Sequence, residues 1–540
     1  MRLFLSKLFV FTTTALLAVS CSTSRCTHSG HKDISPYDYG LATAKTGVER
    51  YEVLLKTHRA AVAAGVNVDY SGIDSLDIEI PQSFKRIPLT PYNDFKGCVL
   101  NIRNTSKRVL LFSIVKEGIS VRVDKKLIDK GDFRSISELS KGKCLLLIED
   151  EKPWVLNRKG HDYGHQRKDI LLVENGRAKN KTTMPYNNEY SSPKCTYIPL
   201  YKDESFVVKN LTVRRDPSCQ FVTFVFSVSG FDNVQFSNIS IYTPENDLTG
   251  DRAISVINST NVTFTDVHIE GTYSQKNYFG YGISLNNVWN FKANRLYGNG
   301  NWGIFGTNNV NTAYIENSQI NRFDIHCYGR DLSYKNVELF DRYNSHASVF
   351  GTIKYDHCVF TNFVPSQYGG SYNAFVEHEI VLNDCVFNID PKRNYFCWPM
   401  TVTSEVNARP ELSKKCLPNI TIKNLTVNMA KGASEFYLIF IREKDEVVDT
   451  FGGISWISID GLTINAAPGT PVQTVQLCNR QILTENEVMC TMSQVVVNQP
   501  KTGAITKSAS ADGAVLKMNL PIKGGAVRLS NIKNIRLEVE

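Results

Sequence analysis

The chain has 540 residues with 61 basic and 53 acidic side chains, a net charge of +8. This mild excess of positive charge favours an anionic partner only weakly. With no zinc-finger, recognition-helix or RNA-module pattern, no nucleic-acid partner is predicted. Thirteen cysteines are too few for a disulfide scaffold of this length. The His and Cys spacings match no ligand motif, so neither a metal site nor a cofactor is predicted.

The first twenty residues have the pattern of a secretory signal peptide. Arg2 and Lys7 make the start basic, an apolar centre runs from Leu8 to Val19, and small residues precede Cys21. The apolar stretch is too short to span a membrane and ends in a cleavage-type site. We therefore expect residues 1–20 to be removed and the protein to be exported.

The stretch from Leu17 to Cys21 resembles a bacterial lipobox, which would make Cys21 an acylated first residue. The leucine lies four residues before the cysteine rather than three, and Ala18-Val19-Ser20 also suits an ordinary signal peptidase. Two destinations follow, a cell-envelope lipoprotein of the outer membrane or surface and a freely secreted protein. Any attachment to a membrane is expected to be through lipid alone.

Residues 21–34 form a polar tether, and residues 35–205 form an N-terminal region that contains an insertion. Leu145 to Ile148 and Asp169 to Val173 are predicted strands on either side of a polar excursion, Asn157 to Lys168. The excursion is rich in groups that bind anions, although a solvated loop has the same composition.

From residue 206 onward, a pattern of apolar, any, Asn or Asp, apolar, any, apolar recurs. Asn210, Asn238 and Asp266 occupy the polar position at intervals of 28 residues, whereas Ala293 breaks the rule. A period of this size that survives variable insertions indicates a solenoid. Stacked coils lie about 4.8 Å apart, so these polar corners are expected to form a hydrogen-bonded ladder. The corner continues at Asn317, Asn336, His357, Asp384, Asn424 and Gly461.

This repeat resembles the right-handed parallel β-helix of the pectin-lyase-like superfamily. The resemblance rests on the fold pattern alone, and it implies an all-β solenoid over residues 206–540 with insertions near 390–417 and 465–520. It also implies that Val48 to Ala64 is the N-terminal capping helix and that Val66 to Tyr70 is the first strand. Cys358 and Cys385 fall in one inward column, where buried thiols are expected and a disulfide between coils is the alternative.

The shortest coils of the solenoid are predicted to form the floor of a recess. The corners Asn317, Asn336 and His357 are only 19 and 21 residues apart, whereas the flanking coils are longer. Aromatic faces beside the floor are expected from Tyr281 and Trp302. The charged groups expected on the floor are Asp324, His326, Arg330, Asp331, Asp341 and Arg342.

Alignment of the strands before each repeat predicts one column of Ser255, Ser284, Phe305 and His326. Two further features are weaker candidates for the site. One is an outward ridge, and the other is a groove wall formed by Glu377 and His378. The ridge is predicted to comprise His268, Glu270, Arg295 and Tyr297.

Two chemistries fit this floor. A lyase acting on a uronic acid needs a base, here His326 or Arg330, and an anion clamp, here Arg330 or Arg342. A glycoside hydrolase needs two carboxylates, here Asp324 with Asp331 or Asp341, at about 6.5–9.5 Å if it inverts. The structural alternative is that these charges only satisfy backbone groups at tight turns.

The sequence therefore predicts a secreted or envelope-anchored enzyme that acts on a polysaccharide as a lyase or a glycoside hydrolase. Its catalytic residues would be Asp324, His326, Arg330 and Asp341. Substrate binding would fall to Tyr281, Trp302, Asp331 and Arg342. The alternative is a non-catalytic glycan-binding or adhesin-like β-helix lipoprotein. No oligomeric state is predicted.

Overall fold

Successive copies of the repeat lie one above another as parallel strands. In the computed structural model, Val208 pairs with Phe236 and Phe236 with Phe264, one from each of three successive coils. After the corner, Leu211 pairs with Ile239 and then with Val267 in the same order. The chain forms the right-handed parallel β-helix that the repeat predicts.

The structure describes residues 32–104, 108–155, 165–183, 185–200, 205–216, 222–243, 253–270, 281–299, 303–326, 328–341, 343–346, 349–368, 378–390, 398–402, 418–433, 436–441, 455–466, 475–478, 482–483, 487–499, 516–517, 522–523 and 527–539. The predicted signal peptide, Cys21, the tether up to residue 31, Trp302, Arg342 and Glu377 lie outside these residues.

The parallel strands of the β-helix, in chain order, are Ser75–Ile80, Ile87–Pro88, Tyr92–Asn104, Arg108–Val115, Phe206–Arg215, Val222–Ser229, Val234–Tyr242, Ile254–Glu270, Tyr281–Asn299, Gly303–Ile320, Phe323–Ile325, Gly329–Phe340, Tyr343–Ser345, Val349–Asp356, Val359–Thr361, Val364–Tyr368, His378–Asn383, Val386–Ile389, Met400–Val402, Asn419–Met429, Phe436–Ile441, Trp456–Ala466, Val475–Cys478, Ile482–Leu483, Val488–Gln499, Leu516–Lys517, Ile522–Lys523 and Val527–Val539.

The polar corners adopt the left-handed backbone conformation. The φ angle is 59° at Asn210, 53° at Asn238 and 54° at Asp266. Asn and Asp tolerate this region better than most residues, which explains why they recur. Their side chains form the expected ladder, in which the Asn238 amide donates to Asn210 at 2.9 Å and Asn336 donates to Asn317 at 3.1 Å.

The coil without an asparagine corner follows a different register from the one predicted. Asp266 lies beside Arg295, which has a φ angle of 55°, whereas Ala293 pairs with Phe264 and is buried. The Arg295 guanidinium donates to both oxygens of Asp266, at 2.5 and 2.7 Å. An ion pair therefore replaces the amide contact, and the residue at the predicted outward position of this coil is Tyr297 rather than Arg295.

An α-helix, Gly47–Ala64, precedes the first coil as predicted. Thr46 and Glu49 form a capping box at its start, and Gly65 ends it with a φ angle of 66°. The predicted strand at 66–70 is reduced to one bridge between Val68 and Ile34. The first strand of the β-helix is Ser75–Ile80, which pairs with Val99–Asn104.

The interior of the β-helix is a continuous apolar stack. Cys358 and Cys385 are buried in it as free thiols, so the predicted buried thiols are confirmed. Within the described residues, no helix is long and apolar enough to cross a bilayer. Phenylalanine rings from successive coils pack against one another along the axis, namely Phe226, Phe236, Phe264, Phe291, Phe305 and Phe323.

The insertion is an antiparallel sheet that contains the two predicted strands. A short α-helix, Lys125–Lys130, packs on one face of the sheet through Ile128. Trp289 of the β-helix packs against Leu145 and Ile170 on the other face. The strands of the sheet are Ile119–Val121, Lys143–Val155, His165–Glu174, Arg177–Ala178 and Pro193–Leu200.

Candidate functional site

Asp324 lies at the centre of a buried polar cluster. It belongs to the short β-helix strand Phe323–Ile325. Its carboxylate is 0% exposed. Oδ1 accepts from the backbone N–H of Ser345 at 3.1 Å. Oδ2 lies 2.5 Å from Nη2 of Arg322 and accepts from the Tyr281 hydroxyl at 2.7 Å. Both oxygens are therefore occupied by protein donors.

The Arg322 guanidinium is the counterion of this carboxylate and stacks on the ring of Tyr343 at 4.3 Å. Burial by itself raises the pKa of Asp324, but the charge of Arg322 and the nearby His326 imidazole outweigh it and hold that pKa well below its usual range. Burial also opposes the charge on Arg322, and the Asp324 carboxylate raises its pKa above the usual value. The pair is therefore fully ionised at neutral pH.

Two glycines make room for this cluster. A Cβ at Gly306 would lie 2.3 Å from Cδ2 of Tyr281, and a Cβ at Gly303 would lie 2.8 Å from Cβ of Arg322. Side chains at these positions would displace the tyrosine ring and the arginine stem. Gly303, Gly306 and Arg322 are the site residues that sequence reasoning missed. The two glycines within one strand were the available signal, since a glycine in a strand often marks a close approach.

His326 is the accessible member of the cluster, with 18% of its side chain exposed. Its Nε2 lies 2.9 Å from the Tyr281 hydroxyl oxygen and 3.6 Å from Oδ2 of Asp324. Because the tyrosine donates its proton to Asp324, its oxygen accepts from a protonated Nε2. The result is a hydrogen-bond chain from imidazole to phenol to a buried carboxylate.

The residues beneath the cluster are buried and hydrogen-bonded to one another. The backbone N–H of Phe323 donates to Oδ1 of Asn344 at 2.7 Å, and Nε2 of His346 contacts the Phe323 carbonyl at 3.0 Å. The same nitrogen lies 3.3 Å from the Tyr334 hydroxyl. Burial lowers the pKa of His346 to about 3, so this second histidine is neutral.

The observed register corrects the predicted column of Ser255, Ser284, Phe305 and His326. Ser255 pairs with Ser284 as predicted, but Ser284 pairs with Gly306, and Gly306 with Asp324. Phe305 points into the apolar stack instead, and His326 lies two residues beyond the column. The error arose because the loops before these strands differ in length. Positions counted from the end of each loop therefore do not match in register.

The other charged residues of the predicted floor have separate partners. Nη2 of Arg330 donates to the carbonyls of Thr182 and Thr183, at 3.2 and 3.0 Å, and so holds the insertion. Asp331 accepts from the backbone N–H of Thr352 at 3.0 Å, at a corner with a φ angle of 50°. The predicted single floor is therefore wrong: Tyr281, Asp324 and His326 come together, whereas Arg330 and Asp331 belong to other contacts.

Asp341 lies at another corner, where its φ angle is 59° and its backbone N–H donates to Thr361. Asp324 is placed out of reach of a substrate by its complete burial. Its depressed pKa also makes it a poor proton donor. A hydrolase pair built on Asp324 therefore finds no support in this geometry.

The alternative ridge carries a row of neighbouring, mutually tilted rings on the outer surface. The His268 ring lies between Tyr242, at 5.1 Å, and Tyr297, at 4.3 Å between ring centroids. Nε2 of His268 lies 3.2 Å from the Glu270 carboxylate. His268, Glu270 and Tyr297 thus adjoin one another, whereas Arg295 is bound to Asp266 at the corner.

No family model matches the sequence, and no curated protein matches it either. Among solved structures, the chain is similar to the tailspike protein gp49 from Pseudomonas phage LKA1, at 12% identity and a TM-score of 0.52, with 86% of this chain and 80% of that one covered. This similarity supports the β-helix fold.

Two further solved structures share less. The tailspike gp61 of Pseudomonas phage phi297 aligns at 11% identity with a TM-score of 0.39, over 87% of this chain and 80% of that one. The gp54 tailspike of Acinetobacter baumannii bacteriophage AP22, in complex with a capsular saccharide of that bacterium, aligns at 10% identity with a TM-score of 0.42, over 94% of this chain and 76% of its own.

Proposed function

We propose that the protein is a polysaccharide-active enzyme in which His326 transfers the proton and Tyr281 and Asp324 position it. The observation that carries this proposal is the chain from the accessible imidazole through the phenol to a buried, ionised carboxylate. Burying an ion pair such as Asp324 and Arg322 is costly and is not the best way to stabilise a fold. A carboxylate that orients a histidine through hydrogen bonds is a recurrent arrangement in general-base catalysis.

Elimination is the chemistry that this arrangement fits best. The base removes the proton beside the carboxylate of a uronic acid, the glycosidic C–O bond breaks, and a C=C bond forms. The leaving oxygen takes a proton from water, and the histidine then returns the abstracted proton to solvent. His326 serves as the base, and its contact with Tyr281 stabilises the imidazolium that forms. The lyase assignment for Arg342 as anion clamp, and those for Trp302 and Arg342 in substrate binding, remain proposals from the sequence.

Hydrolysis fits less well because it needs two carboxylates that reach the substrate. Asp324 has both oxygens occupied and is 0% exposed. Asp331 is bound to the backbone of the next coil. Neither of them can act with Asp341 as the second carboxylate, so elimination is the primary assignment.

The test is a screen of purified protein on acidic and neutral polysaccharides, with absorbance for unsaturated products and reducing ends measured together. On the substrate found, we expect His326→Ala and Tyr281→Phe to lower turnover by about 10²–10⁴-fold. Tyr314→Phe is the matched control, because that hydroxyl also donates to a carboxylate, Glu316, on another face. Full activity of both site variants would refute the role of the cluster, and reducing ends without unsaturated product would refute elimination.

A non-catalytic glycan binder is the second candidate. The row of neighbouring rings on the outer surface, Tyr242, His268 and Tyr297, favours it. Aromatic faces of this kind provide a platform for sugar rings. Glycan binding without any product, lost in Tyr297→Ala and retained in His326→Ala, would support this function over the enzyme.

We also propose that the chain is related to the pectin-lyase-like superfamily and is an exported lipoprotein acylated at Cys21. The support is the repeat for the former and the N-terminal pattern for the latter. If Cys21 is acylated, the wild type will partition into the detergent phase and Cys21→Ala into the aqueous phase. Equal partitioning of the two forms would leave export but contradict the lipid anchor.

A further inference from the structure

A cleft of about 1760 Å³ separates the inserted sheet from the β-helix. The wall on the insertion side comes from residues 118, 120–123, 147–151 and 193–196, with Gln166 and Lys168. The β-helix contributes two columns of asparagine, one of Asn258, Asn287 and Asn309 and the other of Asn286 and Asn308. A volume of this size exceeds the roughly 300–1,000 Å³ of a pocket for one small molecule.

The asparagine columns are linked amides that end in open acceptors. Asn287 donates to Asn258 at 2.8 Å, and Asn309 donates to Asn287 at 3.0 Å. Asn308 donates to Asn286 at 2.9 Å. Within the described part of the chain, the side-chain oxygens of Asn308 and Asn309 are buried and have no hydrogen-bond partner. Asn309 is only 1% exposed, and such a buried acceptor is costly unless a donor arrives.

The second column leads to the candidate site. Asn286 pairs with Asn308 across adjacent coils. The next coil pairs Ile325 with Thr307, and the backbone N–H of His326 donates to the Thr307 carbonyl at 3.0 Å. His326 is therefore the coil neighbour of Asn308, one strand spacing of about 4.8 Å away. His326 therefore adjoins the end of this column, beside residues that line the cleft.

The charges on the insertion wall neutralise one another. Lys168 pairs with Glu149 at 3.1 Å, and Lys194 pairs with Glu151 at 2.7 Å. The facing wall consists of amides, which donate to and accept from hydroxyl groups without a preference for charge. These features match a chain of hydroxyl-rich, largely uncharged sugar units.

We propose that this cleft binds a stretch of several uncharged sugar units and directs the glycan chain to His326. The second part of this proposal, delivery of the chain to His326, rests on the proposed function. The acidic unit needed for elimination would lie at His326, and the neutral units would lie in the cleft. The preferred polymer is therefore a heteropolysaccharide in which uronic acids alternate with runs of neutral sugars.

The test measures binding to immobilised di- to octasaccharides, both neutral and uronic-acid-containing, in the His326→Ala background so that no turnover intervenes. Ser120→Trp fills the cleft, because Ser120 lies on its wall, next to its cross-strand partner Thr196. Ser135→Trp is the matched control, an exposed serine of the insertion that does not line the cleft. We expect Ser120→Trp to weaken binding of the longer neutral-run oligosaccharides by about tenfold or more and Ser135→Trp to leave it unchanged.

Asn308→Ala provides a second variant that adds no bulk, and it should weaken the same oligosaccharides if Ser120→Trp does not fold. Equal binding by the cleft variants and the control would overturn the cleft, as would failure of the parent to bind any member of the set at millimolar concentration. The proposed function is judged separately by product formation. Cleft variants that bind normally while His326→Ala stays inactive refute the cleft alone, and the reverse result refutes the catalytic role alone.

Discussion

The buried pair of Asp324 and Arg322 combines an electrostatic cost with a positioning role. Arg322 Nη2 lies 2.5 Å from the carboxylate, and neither side chain is more than 4% exposed. Removing one partner of such a pair leaves the other charge uncompensated in a dry environment. Asp324 was predicted to act directly on the substrate, whereas the structure places its carboxylate in contact with Arg322, Tyr281 and the backbone of Ser345.

Asp324→Asn is therefore expected to lower both stability and turnover. The asparagine keeps the shape but removes the negative charge that faces Arg322, which should cost roughly 3–5 kcal/mol of unfolding free energy. Denaturant unfolding at neutral pH measures this. Asp331→Asn is the control, since that exposed carboxylate accepts one backbone N–H at a corner, and its cost should be about 1 kcal/mol or less. Equal unfolding free energies for Asp324→Asn and the wild type would contradict the role of the pair.

At the scale of elements, the insertion is joined to the β-helix by a small apolar patch and several polar contacts. Tyr328 donates to the Gln166 carbonyl at 2.7 Å, and Asn311 donates to the Lys181 carbonyl at 3.2 Å. Arg330 adds two bonds to the carbonyls of Thr182 and Thr183. These contacts converge on residues 166–183, and Lys143 adds an ion pair to Asp232 elsewhere, so this segment is one of the points that hold the inserted sheet.

Arg330→Ala should loosen the insertion without unfolding the β-helix. We expect faster hydrogen exchange in peptides from residues 165–183, corresponding to a loss of about 1–3 kcal/mol of local stability. Exchange in the Phe236 to Ile269 region should stay unchanged. Lys335→Ala, an exposed residue of the same strand, serves as control. Identical exchange in both variants would show that Arg330 does not hold the insertion.

At the scale of the whole molecule, two buried neutral histidines make stability depend on pH. Burial lowers the pKa of His58, in the capping helix, to about 4 and that of His346, midway along the β-helix, to about 3. An unfolded histidine titrates near 6.5. As the pH falls below about 6.5, the unfolded chain binds protons that the folded chain does not, so stability decreases.

We expect the unfolding free energy to decrease by roughly 3–5 kcal/mol between pH 6.5 and 4.5, because each histidine contributes up to about 1.4 kcal/mol per pH unit. Denaturant unfolding across this range measures the slope. His58→Gln keeps a polar group beside the Tyr70 hydroxyl, which His58 contacts at 2.8 Å, and should reduce the slope by about half. A flat profile in the wild type would contradict the buried neutral state.

The sequence by itself determined the repeat, the corner positions apart from the one at Arg295, the capping helix and the two strands of the insertion. These are local properties: left-handed corners select Asn or Asp, and strands that stack in register repeat their apolar positions. It also placed Tyr281, Asp324 and His326 among the site candidates, because short coils concentrate charged groups.

Only the tertiary structure decided which of those groups meet. Register across loops of unequal length put Gly306 beside Asp324, gave Asp324 its counterion Arg322, and tied Arg330 to the insertion. The cleft likewise exists only because a distant segment folds against the asparagine columns. Contacts of this kind depend on packing between residues far apart in the chain, and no local pattern encodes them.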